Sequence, residues 1–162
     1  MSTLDFLFNG FAIAFQWQNI MFAFVGVLIG TAVGVLPGIG PMSGVALLIP
    51  VTATLTSGMP TEAAAASSII LLAGVYYGAM YGGSTTSILL NTPGESSSVV
   101  TTLDGYQMAK QGRAGAALSI AAIGSFVAGI VSLIGLVLLA KPLSKVALNF
   151  GPAEYFSLML LG

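Results

Sequence analysis

The chain has 162 residues, of which 56% are hydrophobic and only 6% are charged, against roughly 25% charged residues in soluble domains. Its mean hydropathy is +1.00 and its net charge is -1, so it cannot cover a compact water-soluble domain with polar surface, and the composition predicts an integral membrane protein. The absence of Cys and His excludes disulfides, thiol nucleophiles, imidazole bases and the usual zinc sites, and four basic residues provide no surface for binding nucleic acid.

The N-terminal segment 1–19 mixes Phe and Leu with polar residues such as Asp5 and Gln16. It lacks the basic start and the small-residue cleavage site of a signal peptide. The pattern predicts an interfacial amphipathic helix, with Trp17 near the lipid headgroups.

The first membrane span is predicted over about 20–36, within a region that has no charge between Asp5 and Glu62. Glycine recurs every fourth residue from this span onwards, at Gly26, Gly30, Gly34 and Gly38. Such a strip of small residues lets another helix approach closely, so it predicts tight helix packing.

A proline-glycine bend follows this span and contains Pro37, Gly38, Gly40 and Pro41. These residues cannot continue a regular helix. The apolar stretch after them is short and is interrupted by Pro50. The region 37–56 is therefore predicted to be a broken or re-entrant helix.

A second span is predicted over about 61–81, since Thr61 is a suitable N-cap and Glu62 lies in the first turn. Two glycines, a run of hydroxyl residues and an Asn-Thr-Pro-Gly turn come next. This composition predicts a second broken segment over about 83–98, in which 95–98 forms a solvated loop.

The remaining sequence predicts a short polar helix within 99–113, a third span over 114–140 and the start of a further span at 154–162. Two basic residues precede the third span and two follow it, so the positive-inside rule leaves the orientation open. The fold class predicted by the whole pattern is an all-α polytopic helical bundle with broken or re-entrant helices.

The proline-glycine bend is the first candidate binding site. A helix that begins near Met42 would direct its partially positive end at the bend, where it could hold a carboxylate beside the Ser43 hydroxyl. The alternative is a kink that only packs against protein. The candidate residues are Pro37, Gly38, Gly40, Pro41 and Ser43.

The second candidate site is the hydroxyl and amide tract, because such groups are costly in apolar surroundings unless they are paired. Its candidate residues are Ser84, Thr85, Thr86, Ser87, Asn91 and Thr92. No Lys or Arg lies inside an apolar segment, so amides, hydroxyls or a co-bound cation such as sodium would have to hold an anion. The chemistry indicates binding and translocation, with no cofactor and no bond-making step.

Two long motifs, at 34–50 and 81–95, resemble the large membrane subunit (TctA) of the tripartite tricarboxylate transporters. Gly151, Pro152 and Glu154 extend the resemblance towards the end of the chain. The resemblance implies a bacterial inner-membrane system in which a cation gradient drives the uptake of carboxylates such as citrate. It also implies two partners, a small membrane subunit (TctB-like) and a periplasmic solute-binding protein (TctC-like).

Members of this family consist of two related halves, and only the motifs of the first half occur here. The resemblance therefore implies the first half of a two-repeat secondary transporter, with residues 20–162 as its membrane domain. The alternative function is a different membrane channel, or an assembly subunit with a broken-helix pore. An intramembrane enzyme would need a base that the sequence lacks.

Overall fold

A computed structural model describes residues 3–161 of the chain, and within that range the regular structure is helical. The helices are α1 (Thr3–Ala14), α2 (Trp17–Gly34), α3 (Pro41–Leu55), α4 (Thr61–Leu90), α5 (Val99–Lys110), α6 (Ala114–Ala147) and α7 (Pro152–Leu161), with a 3₁₀ helix at Ser96–Ser98. Residues 1, 2 and 162, which belong to the predicted first and last segments, lie outside the described residues.

Three helices are long and apolar enough to cross a membrane, namely α2, α4 and α6 up to Ala140. These helices confirm the predicted all-α membrane fold. The described residues form two compact units, one ending at Ala122 and the other beginning at Ile123. The first unit contains both motif regions.

Glycines join α2 and α4 by direct backbone contact. A methyl group on Gly30 would overlap the backbone carbonyl of Val75, and one on Gly78 would overlap the carbonyl of Val27. The same relation holds for Gly26, Gly34, Gly74 and Gly82, each of which lies against the backbone of the other helix. Packing of this kind relies on small residues because apolar burial provides little driving force between helices in lipid.

The glycine contacts also show the relative direction of the two helices. Gly26 lies against Leu71, and Gly34 lies against Ala79, so the residue numbers rise together along both helices. The α2 and α4 helices are therefore parallel.

The α3 helix runs in the opposite direction. Near its start, Gly44 faces the side chains of Val33 and Val75, while just past its end the Thr56 hydroxyl lies 3.2 Å from that of Ser68. Because α2 and α4 are parallel, α3 carries the chain back between them. Its 15 residues extend for about 22 Å.

Two predicted helix boundaries are wrong. The first span begins at Trp17, so the end of the predicted interfacial segment belongs to α2. The second span continues to Leu90 because its hydroxyls bond to carbonyls of their own helix. The predicted third span, 114–140, agrees with the apolar part of α6 at Ala114–Ala140. The helix itself continues past Pro142 to Ala147, because a proline removes only one hydrogen bond of the ladder.

The parallel arrangement predicts that a water-soluble reagent reaches Leu36 and Ser57 from opposite sides of the membrane. Gln111 should be accessible from the same side as Leu36. Single-cysteine variants at these positions can be labelled with a membrane-impermeant maleimide, since the sequence has no native Cys. Labelling of Leu36→Cys and Ser57→Cys from the same side would contradict the arrangement and would support a re-entrant α3.

Candidate functional site

The two motif regions meet where three glycines converge. A methyl group on Gly94 would lie 2.5 Å from the Cα atom of Gly83 and 3.0 Å from the carbonyl oxygen of Gly34. Gly34 ends α2, whereas Gly83 lies within α4. The chain after α4 therefore folds back along that helix and reaches the end of α2. This contact, the Gly34–Gly83–Gly94 junction, brings two non-helical segments together.

The first non-helical segment is the bend between α2 and α3. Turn-like bonds continue past α2, from Val35 N–H to Thr31 O at 3.0 Å and from Ile39 N–H to Leu36 O at 3.2 Å. Gly38 then adopts a φ of 85°, a conformation that side-chain-bearing residues rarely tolerate. The predicted bend is thus present, and it reverses the chain rather than kinking one helix.

The α3 helix begins at this bend with Pro41 in its first turn. The N–H groups of Ser43 and Gly44 both donate to the carbonyl of Gly40, at 3.1 and 3.2 Å. Within the described part of the chain, the Met42 N–H and the Ser43 hydroxyl have no hydrogen-bond partner, and Ser43 is exposed. One amide and one hydroxyl therefore remain able to donate to a ligand.

The predicted unwinding at 83–87 is wrong. Each hydroxyl in this stretch donates to a carbonyl of the same helix: Ser84 to Met80, Thr85 to Tyr81, and both Thr86 and Ser87 to Gly83, at 2.8–3.2 Å. These bonds satisfy the polar groups without breaking the helix. Because their protons are already engaged, the hydroxyls can offer a ligand only oxygen lone pairs.

Burial separates the hydroxyl tract into two groups. Ser87 is 0% exposed and Thr86 is 3% exposed, so both belong to the packing around the junction. Ser84 and Thr85 are half-buried and remain the better candidates for ligand contact.

The second non-helical segment starts at Asn91, which is exposed and adopts the left-handed conformation with φ 56°. Thr92 is half-buried, and its hydroxyl donates to the carbonyl of Leu90 at 3.2 Å. The backbone is extended again at Glu95, with φ -149° and ψ 167°. This segment gives the break that was predicted, although it begins after Leu90.

Residues 95–98, predicted to form a solvated loop, expose Ser96 and Ser97 but have regular structure. They form a capped 3₁₀ turn in which Ser98 is buried and its hydroxyl donates to Glu95 O at 2.8 Å. Capping of this kind satisfies the turn internally.

The described residues contain no group of three acidic, His or Cys side chains that could hold a resident metal ion. In the first unit, basic side chains occur only at Lys110, which ends α5, and at Arg113, which follows α5. The Lys110 Nζ atom lies 5.3 Å from the centre of the Tyr106 ring. The described junction therefore relies on neutral groups.

A buried polar contact at the opposite end of α2 and α4 escaped the sequence analysis. The Ser67 hydroxyl donates to Asn19 Oδ1 at 2.7 Å, and Asn19 Nδ2 donates to the carbonyl of Ile13 at 2.8 Å. Both side chains are 3% exposed. The signal in the sequence is the pair Ser67 and Ser68 within the otherwise apolar stretch 63–75 of α4.

Comparison with known protein families matches residues 20–162 to the tripartite tricarboxylate transporter TctA family. The chain belongs to the TctA family. It is also 54% identical over its whole length to a protein of Agrobacterium vitis described as an uncharacterized 52.8 kDa protein in the TAR-I ttuC' 3' region. The chain spans 31% of that relative's length, and no solved structure matches it.

Membership of the TctA family confirms the resemblance found in the two motifs and identifies the chain as part of a transporter's membrane component. Both motifs lie within the matched region, and the structure joins them at the glycine junction. The geometry thus adds a physical relation between two segments that are far apart in the sequence.

Burial predicts which positions around the junction water can reach. Cysteine at Ser43 or Asn91 should react readily with a polar thiol reagent, whereas cysteine at Thr86 or Ser87 should react at least about tenfold more slowly, because these side chains are enclosed. Labelling rates in intact membranes measure the difference. Equal rates at Ser87→Cys and Asn91→Cys would show that α4 does not pack as described.

Proposed function

We propose that this TctA-family chain forms part of the carboxylate-binding region in the membrane subunit of a tripartite transporter. In this proposal a sodium or proton gradient drives the uptake of citrate-like carboxylates across the bacterial inner membrane. A periplasmic TctC-like protein delivers the substrate, and a small TctB-like subunit completes the membrane assembly. The observation that carries the proposal is the junction of two interrupted segments at Gly34, Gly83 and Gly94.

The start of α3 is suited to binding a carboxylate group. The free Met42 N–H and the Ser43 hydroxyl both lie at the partially positive end of a 15-residue helix. Carboxylate oxygens accept hydrogen bonds from such donors without a basic side chain. This arrangement accounts for recognition of an anion in a region that lacks Lys and Arg.

The half-buried hydroxyls of α4 are suited to a cation instead. Ser84 and Thr85 donate their protons to carbonyls of their own helix, so their oxygens present lone pairs. A sodium ion bound there would offset part of the substrate's negative charge, which is otherwise expensive to bring into an apolar environment. The two sets of groups would in this way couple the substrate to the driving ion.

The described groups are too few for a substrate with several carboxylates. The Met42 N–H and the Ser43 hydroxyl at the start of α3 can satisfy only part of its hydrogen-bonding capacity. Transporters built from repeats place ligands at the interface between them, so we expect further donors from the rest of the transporter.

Alanine substitutions in the complete transporter test the proposal. Ser43→Ala should raise the KM for citrate by at least about tenfold, because a hydrogen bond to a charged group contributes about 1.5–3 kcal/mol. Ser84→Ala and Thr85→Ala should instead raise the ion concentration needed for half-maximal uptake. The measurement is radiolabelled citrate uptake under an imposed sodium or proton gradient.

Matched controls are Ser125→Ala and Ser132→Ala, which alter exposed serines of α6. Uptake is compared at equal amounts of membrane-inserted protein. Equal effects in the two sets would contradict the assignment of the junction residues. Flux that neither saturates nor needs an ion gradient would support a channel.

A further inference from the structure

The α3 helix is attached to its neighbours much more loosely than α2 and α4 are attached to each other. We infer that α3 is a mobile arm that hinges at Gly38 and Gly58 and moves against the fixed α2–α4 pair. The inference rests on the proposed function, because the start of the arm carries the groups assigned to the carboxylate.

The α2–α4 pair forms the fixed part. Its helices are in backbone contact at successive turns, from Gly26 against Leu71 to Gly34 against Ala79. Close-packed backbones have no flexible side chains between them that could rearrange to accommodate sliding. The buried hydrogen bond between Ser67 and Asn19 adds a polar tie between the same two helices.

The contacts of α3 are fewer and softer. Gly44 faces the side chains of Val33 and Val75 rather than a backbone. Thr52 is buried, but its hydroxyl donates to Ile49 O, within α3. In the described residues, a side-chain hydrogen bond to α4 is made just past the end of this arm, between Thr56 and Ser68 at 3.2 Å.

Both connections of α3 contain a glycine suited to act as a hinge. Gly38 has φ 85° and Gly58 has φ 90°, and a side chain at either position would meet no other atom within 4 Å. Packing therefore does not require glycine there, whereas the backbone conformation does. Hinges are typically a few loop residues that absorb changes in φ and ψ.

Movement of the arm would change the binding region directly. Ser43 and the Met42 N–H belong to α3, whereas Ser84 and Thr85 belong to α4. Motion of α3 would therefore change the position of the proposed carboxylate donors relative to the proposed cation ligands.

Spin labels can measure the movement without relying on transport. In the complete transporter, labels at Leu47→Cys and Tyr77→Cys report the distance between α3 and α4, since both positions are exposed. Labels at Leu28→Cys and Tyr77→Cys provide the matched α2–α4 control. We expect the α3–α4 distance distribution to be at least twice as wide as the control, and equally narrow distributions would overturn the inference.

A disulfide lock tests the functional consequence. The pair Val33→Cys and Gly44→Cys should link the start of the arm to α2, because a Cβ atom on Gly44 would lie 3.8 Å from the Cβ atom of Val33. The control pair Asn19→Cys and Ser67→Cys should link α2 to α4, because it replaces side chains in contact. Oxidation should reduce citrate uptake at least tenfold in the first variant and less than twofold in the second, with recovery on reduction.

Undiminished uptake by the oxidised Val33–Gly44 variant would overturn the mobile arm and leave the proposed function intact. Absence of citrate uptake in the unmodified complete transporter would instead refute the proposed function, while the distance measurement would still decide whether α3 moves.

Discussion

Direct contact between the backbones of α2 and α4 is the constraint on which the rest of the first unit depends. It exists because glycines on both helices leave room for the carbonyls of the other, as at Gly30 with Val75 and Gly78 with Val27. In lipid, contact of this kind favours association through dispersion and weak polar interactions. A larger side chain at Gly30 would force the helices apart and remove contacts along several turns.

Because α2 and α4 run in the same direction, the segment that connects them must return the chain to the side from which α2 starts. Parallel neighbours need a return element, and α3 provides it, with a proline at its start and glycine bends on both sides. The return places a free helix start beside the end of α2. The α4 helix is about 45 Å long for 30 residues, so its hydroxyl tract lies beyond the end of α2. After α4 the chain folds back, and Gly94 contacts Gly83. Helix packing, rather than a charged cluster, assembles the candidate site.

Some of these features could be predicted from the sequence, and the failures have clear physical causes. The four-residue spacing of Gly26, Gly30 and Gly34 indicated a packing face, and the proline-glycine run indicated the bend. The sequence pattern at Gly82 and Gly83 predicted a helix break. A sequence alone does not show whether a glycine interrupts a helix or lets the backbone of a neighbouring helix approach. The backbone at Ser84 and Ser87 was likewise predicted to be unwound. Their hydroxyls donate to carbonyls of the preceding turn, and these bonds form only when the helix continues, so the sequence alone does not reveal them. The partner of Asn19 lies 48 residues away, at Ser67, and could not be inferred from local pattern.

Carboxylate binding by a Gly94→Ala variant tests most directly whether the glycine junction builds the site. The added methyl group would lie 2.5 Å from the Cα atom of Gly83 and 3.0 Å from the carbonyl oxygen of Gly34, so the two non-helical segments must separate. Calorimetric titration of citrate into the purified complete transporter should show at least about a tenfold loss of affinity, or about 1.4 kcal/mol. Gly115→Ala, at a helical position with open space, should bind citrate with unchanged affinity. Unchanged affinity in a folded Gly94→Ala transporter would contradict the account.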